Sequence, residues 1–190
     1  FGNNTGAVIN GDDGNDHFDL ANNSQNYTVN GGNNNDTFRV FEDAGPSTIN
    51  GGSGTDHLLL DLNTASRDGD SISVNLVIGE LVTQTGTFTI SSIETVTGGE
   101  FNDTFIGRDD TAETFNGGSG FDTFYYSEGG DTYNGGGNSN DLVDFSALSF
   151  GTGVAGINAS GGVNSTITVN GMDSITTTGI EDITATDGDD

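Results

Sequence analysis

Cysteine and lysine are both absent from this chain of 190 residues, and positive charge is confined to Arg39, Arg67 and Arg108. Without cysteine there is no disulfide framework, no thiolate nucleophile and no soft sulfur ligand for a metal. That absence fits a bacterial extracellular protein that does without disulfides. Against three cations stand 29 acidic residues, for a net charge of −26. Such a balance excludes nucleic acid and an anionic membrane as partners, and it calls for cations. No apolar run approaches the ~20 residues of a membrane-spanning helix, so no membrane insertion is expected. Phe1 is followed by no signal-peptide pattern, and residues 187–190 read as a loop cut midway, so a longer parent chain is expected.

Apolar residues are also scarce. Phe, Leu, Ile and Val make up a little over a fifth of the chain. That is close to the ~20% at which a highly charged chain stays disordered. Without counterions the chain is expected to be unfolded.

What the chain has instead is repetition. NGDDGNDHFDL starts at Asn10, NGGNNNDTFRV at Asn30 and NGGSGTDHLLL at Asn50, at spacings of 20 residues. TGGEFNDTFIG follows at Thr97, NGGSGFDTFYY at Asn116 and NGGGNSNDLVDF at Asn134, at spacings of 19 and 18. A longer period lies over this one: SIETVTGGEFND at Ser92 aligns with GIEDITATDGDD at Gly179, 87 residues later. The chain thus divides into a first repeat block (1–62), a strand-rich insert (63–97), a second block (98–145), a second insert (146–184) and the start of a third block (185–190). The inserts are rich in Thr, Ser and Val and alternate apolar with polar residues, which reads as strands continuing the stack. No stretch has helical spacing.

Each repeat supplies one turn and one strand. Glycine serves where φ is positive or where backbone passes close to a neighbour. An Asp ends the turn, and the residue two further on is apolar: Phe18, Phe38, Leu58, Phe105 and Phe124, predicted on one face. A second apolar position precedes the first glycine by two: Ile9, Val29, Ile49, Val96, Phe115 and Tyr133. Two strands and two turns per 18–20 residues describe a coil, and coils stack at ~4.8 Å with strands parallel. Phe18 is then predicted over Phe38 over Leu58, and Ile9 over Val29 over Ile49. The same stacking brings Asp16, Asp36 and Asp56 into register, where like charges repel unless a cation lies between them. Carboxylates and loop carbonyls are hard oxygen donors, which select calcium over zinc or copper and, being flexible, over magnesium.

Gly-Gly-x-Gly-x-Asp-x-apolar-x resembles the nonapeptide of the RTX (repeat-in-toxin, hemolysin-type calcium-binding) family. GGSGTDHLL (Gly51 to Leu59) and GGSGFDTFY (Gly117 to Tyr125) match throughout; GDDGNDHFD has Asp12 for the second glycine, and GGNNNDTFR has Asn34 for the third. GGEFNDTFI has Phe101 there, and the loop from Gly135 carries one extra residue before Asp141. The resemblance covers roughly half the chain. It implies an all-β, right-handed parallel β-roll (β-solenoid) of stacked calcium-binding repeats, secreted by a type I system and folded by extracellular calcium. It also implies the candidate ligands. These are Gly11, Asp12, Asp13, Gly14, Asn15 and Asp16; Gly31, Gly32, Asn33, Asn34, Asn35 and Asp36; and Gly51, Gly52, Ser53, Gly54, Thr55 and Asp56. In the second block they are Gly98, Glu100, Asn102 and Asp103; Gly117, Gly118, Ser119, Gly120, Phe121 and Asp122; and Gly135 and Asp141. One ion would lie between the carbonyls of Gly32 and Asn34 with the Asp36 carboxylate, and the carbonyls of Gly51, Ser53 and Thr55 with Asp56.

Other features carry less. His17 and His57 are expected to be solvated and two coils apart, with Thr37 between them. Tyr125, Tyr126 and Tyr133 are expected to pack rather than to bind sugar. The opposite turns, GRDDTAETF and SEGGDTY, read as degenerate partners of the glycine loops. No nucleophile or acid–base constellation stands out, so no enzyme activity is expected of this segment. The function expected is a calcium-folded structural, spacer or assembly module outside the cell or on its surface. Alternatives are a polymer-gripping or folding aid on a secreted protease, lipase or alginate epimerase, and a surface-layer or adhesin subunit that binds polysaccharide or other copies of itself.

Overall fold

The computed structural model describes residues 6–21, 26–62, 71–137, 140–146, 157–159, 164–169, 174–180 and 182–184. The expected third block, 185–190, lies outside them. The described residues form nineteen strands and no helix. The first block holds β1 (Val8–Asp13), β2 (His17–Leu20), β3 (Thr28–Asn33), β4 (Thr37–Phe41), β5 (Thr48–Ser53) and β6 (His57–Asp61). The odd strands pair in parallel in one sheet and the even strands in a second. The fold is a parallel β-solenoid.

Register follows the repeat. Ile9 pairs with Val29 and Val29 with Ile49; Phe18 pairs with Phe38 and Phe38 with Leu58. Period-2 alternation points these side chains between the sheets, where Val29, Phe38, Ile49 and Leu58 are buried. Phe18 stacks on Phe38 at 5.2 Å between ring centroids. Each such buried side chain contributes about 1.5–3 kcal/mol.

The first insert supplies β7 (Ser73–Asn75), β8 (Glu80–Thr83), β9 (Gly86–Ser91) and β10 (Thr95–Thr97). β7, β8 and β9 form an antiparallel meander within the first sheet, and β9 lies parallel to β5. β10 joins the second sheet beside β6. The second block adds β11 (Thr104–Ile106), β12 (Thr114–Gly118), β13 (Thr123–Tyr125), β14 (Thr132–Gly136) and β15 (Leu142–Asp144). The second insert adds β16 (Ile157–Ala159), β17 (Asn164–Val169) and β18 (Ser174–Thr178), an antiparallel meander in the second sheet, and then β19 (Asp182–Thr184) in the first. Both inserts thus contribute strands to the sheets.

The inserts also move the motif from one sheet to the other. In the first block the strand entering a glycine loop (β1, β3, β5) lies in the first sheet. In the second block it (β10, β12, β14) lies in the second. The expectation that Phe105 and Phe124 share a face with Phe18, Phe38 and Leu58 is therefore corrected. Phe105 and Phe124 continue the first sheet from Val74, whereas Val96, Phe115 and Tyr133 continue Leu58 in the second. The cause is local. After β9 the chain turns into the second sheet through Ser92–Glu94, three residues with Ser92 at φ +51°, and no glycine loop. The glycine loop then comes half a coil later. Alternation along each strand is unaffected, so the core stays continuous from Val29 to Val143.

Candidate metal centre

The solenoid has two edges. At the near edge the chain passes from the first sheet to the second, and at the far edge it returns. Every near-edge turn from the first block through the second ends in an acid: Asp16, Asp36, Asp56, Glu94, Glu113 and Asp131. Each of the six acids offers its carbonyl to the next coil, the last, Asp131, accepting from Thr176 N at 2.9 Å. Thr37, His57, Thr95, Thr114 and Thr132 donate to the carbonyls of Asp16, Asp36, Asp56, Glu94 and Glu113 at 2.8–2.9 Å. The side chains form a second ladder. Asp16 N donates to Asp36 Oδ1, Asp36 N to Asp56 Oδ1, Asp56 N to Glu94 Oε2, and Glu113 N to Asp131 Oδ1, all at 2.8–2.9 Å. The far edge carries Asp103, Asp122 and Asp141. There Ile72 N donates to Asp103 Oδ1, Asp103 N to Asp122 Oδ1 and Asp122 N to Asp141 Oδ1, at 2.8–3.0 Å. The extra residue before Asp141 does not break this register.

One oxygen of Asp36, Asp56, Glu94, Asp103, Asp122, Asp131 and Asp141 is thus taken by a main-chain amide. The other oxygen divides the acids into two groups. Oδ2 of Asp16, Asp36, Asp56 and Asp122 is buried and accepts no hydrogen bond. Asp36, Asp56 and Asp122 are 1%, 0% and 1% exposed. A buried carboxylate oxygen without a partner costs several kcal/mol unless a cation or a proton meets it. All four lie in glycine loops of the recurring motif. Asp103, Glu113 and Asp131 are instead satisfied from within the protein. Gly99 N donates to Asp103 Oδ2 at 2.9 Å. Arg108 reaches both oxygens of Glu113. Ser127 Oγ and Tyr133 Oη donate to Asp131 Oδ2 at 2.6 and 2.9 Å.

The first glycine of each loop makes room for the second oxygen of the loop's carboxylate. A Cβ on Gly31 would collide with Asp36 Oδ2 and with the Gly51 carbonyl of the next coil. Gly11 faces Asp16 Oδ2 and the Gly31 carbonyl, and Gly51 faces Asp56 Oδ2 and the Ser92 carbonyl, in the same way. On the far edge Gly117 packs against Asp122 Oδ2, and Gly135 against Asp141 Oδ2 and the Gly179 carbonyl. The second glycine takes φ near +110° so that backbone can stack on backbone, Gly52 over the Gly32 carbonyl. Asp12 and Asn34, which replace glycines, keep the left-handed conformation at φ +71° and +77°, as Asp and Asn can.

No three His, Asp or Glu side chains converge on one point among the described residues. A metal here would have one carboxylate per loop, with carbonyls as the remaining donors. The exposed loop positions serve the stack as well. Asn15 Oδ1 accepts from Asn35 N, Asn35 Oδ1 from Thr55 N and Asn102 Oδ1 from Phe121 N. Asn33 Nδ2 donates to Asp13 Oδ1 at 2.7 Å. Ser53, Gly54, Thr55, Glu100 and Phe121 are exposed, and Ser119 N donates to the Gly99 carbonyl. Gly14 lies at φ +124°, Gly118 at +113° and Gly120 at +119°, and Gly98 packs against Asp103 Oδ2. The Asn before each first glycine forms a ladder of its own: Asn30 to Asn10, Asn134 to Asn116, and Ser91 to Asn50. Its recurrence at positions 10, 30, 50, 116 and 134 was the signal for it.

His17 is exposed and bonds Asp19; His57 bonds Thr97, and Thr37 separates the two. Tyr133 is fully buried, and Tyr126 stacks on Phe145 at 4.8 Å. Burial raises several acids above the ordinary carboxylate range: Asp103 to about 6, Glu113 to about 7 and Asp122 to about 7, with Asp56 and Asp131 raised too. For Asp122 the neighbouring charges of Asp103 and Asp141 add to the effect of burial. No known family model and no curated protein matches this chain.

Proposed function

We propose that this chain is a calcium-binding β-solenoid segment of a larger secreted protein, folding on extracellular calcium to serve as a structural spacer or assembly module. One observation carries the reading: four buried carboxylate oxygens, on Asp16, Asp36, Asp56 and Asp122, have no partner, and each faces a glycine-rich loop. The donor set is all oxygen and flexible, which suits Ca²⁺. Asp36 with the Gly51 carbonyl, Asp16 with the Gly31 carbonyl, Asp56 with the Ser92 carbonyl, and Asp122 in the loop from Gly117 would hold ions. When bound, calcium supplies the positive charge that these buried oxygens lack. The residues do the rest: each loop orients its carboxylate through the ladder of main-chain amides, and its glycines open the space beside it.

Linkage then makes folding a response to location. An ion that binds only the folded chain stabilises it by ~2.7 kcal/mol at a hundredfold excess over its Kd. Several such terms outweigh the repulsion of a chain at −26 in millimolar calcium, and not at cytosolic levels. The chain can thus cross a secretion channel unfolded and become rigid outside. Circular dichroism during a calcium titration tests this. The chelated protein should lose most of its β signal and regain it with calcium, far less with magnesium. A fully folded protein in chelator would sink the proposal.

A further inference from the structure

At one place in the near-edge column the positive charge is part of the chain itself. Arg108 lies between Glu94 and Glu113, acids of two successive coils. Its Nε donates to Glu113 Oε1 at 2.8 Å, and its Nη2 donates to the Ile93 carbonyl at 2.8 Å and lies 3.5 Å from Glu94 Oε1. Its own amide donates to Glu113 Oε2 at 3.1 Å. The guanidinium therefore draws on a carboxylate from each of two coils and a main-chain carbonyl, the kinds of donor that surround the free oxygens elsewhere in the column. The Glu113 side chain is fully buried, so without Arg108 its charge would be stranded.

The position of Arg108 in its turn is telling. Gly107 stands where the first glycine of a loop stands. A Cβ on it would meet Glu113 Oε2 and Ser127 of the next coil, as a Cβ on Gly31 would meet Asp36 Oδ2 and Gly51. Arg108 then occupies the place of the second glycine, Gly32 or Gly52, and its side chain enters the column from there. One coil on, Ser127 and Tyr133 satisfy Asp131 with hydroxyls.

We propose that Arg108 is the resident cation of the acid column, filling with a guanidinium the place that a metal ion takes at Asp16, Asp36 and Asp56. The coils from Glu94 to Tyr133 are then joined at the near edge without metal, and the column takes up ions only in the first block. The comparison with metal rests on the calcium reading; the guanidinium's own role does not.

Hydrogen exchange of the full chain, read by mass spectrometry over residues 104–116, tests this alongside the number of bound calcium ions from native mass spectrometry. Wild type should protect these residues in saturating calcium and, as the structure that remains when most of the β signal is lost, should keep them protected in chelator while residues 28–61 of the first block exchange. Arg108→Gln should lose the protection in chelator, regain it in calcium and bind one ion more than wild type. Arg108→Lys, which keeps the charge, should behave as wild type. An unprotected wild type in chelator overturns the proposal. So does an unchanged ion count in Arg108→Gln, or a failure of that variant to regain protection in calcium. If wild type binds no calcium at all, the calcium reading falls, and chelator protection that is lost in Arg108→Gln still supports the guanidinium as the column's cation.

Discussion

The main-chain amide of Asp36 donates to Oδ1 of Asp56 at 2.8 Å, and Oδ1 of Asp36 in turn accepts the amide of Asp16. Asp36 therefore joins two neighbours, while Asp16 donates to one. If ions lie between coils, as proposed, each draws on both, so a middle loop serves two sites and an end loop one. Asp36→Ala should raise the calcium midpoint, and lower the bound-ion count, clearly more than Asp16→Ala. Each lost site removes about 2–3 kcal/mol at high calcium. Calorimetric titration of both variants checks this; equal losses of one ion each would mean that the loops bind separately.

Asp122 and Asp131 look alike in burial and differ in what meets their second oxygen. Asp122 Oδ2 has no partner, whereas Asp131 Oδ2 accepts from Ser127 and Tyr133. Asp122→Asn keeps an acceptor for the Asp103 amide and removes an unmatched charge. It should stabilise the chelated protein and reduce the gain on adding calcium. Asp131→Ala leaves two buried hydroxyls and the Glu113 amide without their acceptor, and should destabilise by about 1–3 kcal/mol with or without calcium. Thermal melts of both variants in chelator and in calcium separate the two behaviours. The same sign for both in chelator would refute the distinction.

The loops, the coil and the pairing of Phe18 with Phe38 and of Val29 with Ile49 were legible because a 20-residue recurrence states the register outright. The exchange of sheets at Ser92–Glu94 was not. A strand alternates identically whichever sheet it joins, so a half-coil shift leaves no mark on the hydrophobic pattern. Only the shortness of the connection marks it: SIE stands where a six-residue loop stands elsewhere, and it recurs as GIE at Gly179. In the candidate site, the loop acids were evident, but which of them lack partners was not. That depends on Arg108 and Ser127, single residues in turns that have lost the motif, and on the hydroxyl of Tyr133 at a core position of β14.

Gly52 and Gly137 offer a matched pair. Gly52 sits at φ +106° and a Cβ on it would collide with the Gly32 carbonyl, while nothing lies within 4 Å of where a Cβ on Gly137 would be. Gly52→Ala must hold a left-handed backbone, at about 1–2 kcal/mol, and also push two coils apart. It should lower the melting temperature in calcium by several degrees, and Gly137→Ala should not. Equal melting temperatures would show that the coils do not stack as closely as described.

Acid should partly replace calcium. Burial raises Asp103 to about 6, and Glu113 and Asp122 to about 7, in the metal-free fold. In the unfolded chain these groups titrate near 4. The folded form then binds more protons than the unfolded one across the interval between, so metal-free stability falls as pH rises from about 4 through about 7. The contribution is fully present below the unfolded values and lost above the folded ones. If calcium binds at Asp122 as proposed, it reverses the dependence there, because an ion needs the ionised carboxylate and competes with the proton. In chelator, moving from pH 8 to pH 5 should therefore raise the β signal and the melting temperature. In calcium the gain should vanish, and the calcium midpoint should be higher at pH 5 than at pH 8. Relief of the overall charge acts in the same direction, so the variant Glu113→Gln with Asp122→Asn is the control. If the buried acids are responsible, its melting temperature in chelator should change less with pH than that of wild type. A slope equal to wild type would assign the effect to net charge alone, and a chelated protein most stable at pH 8 would contradict the burial of these acids.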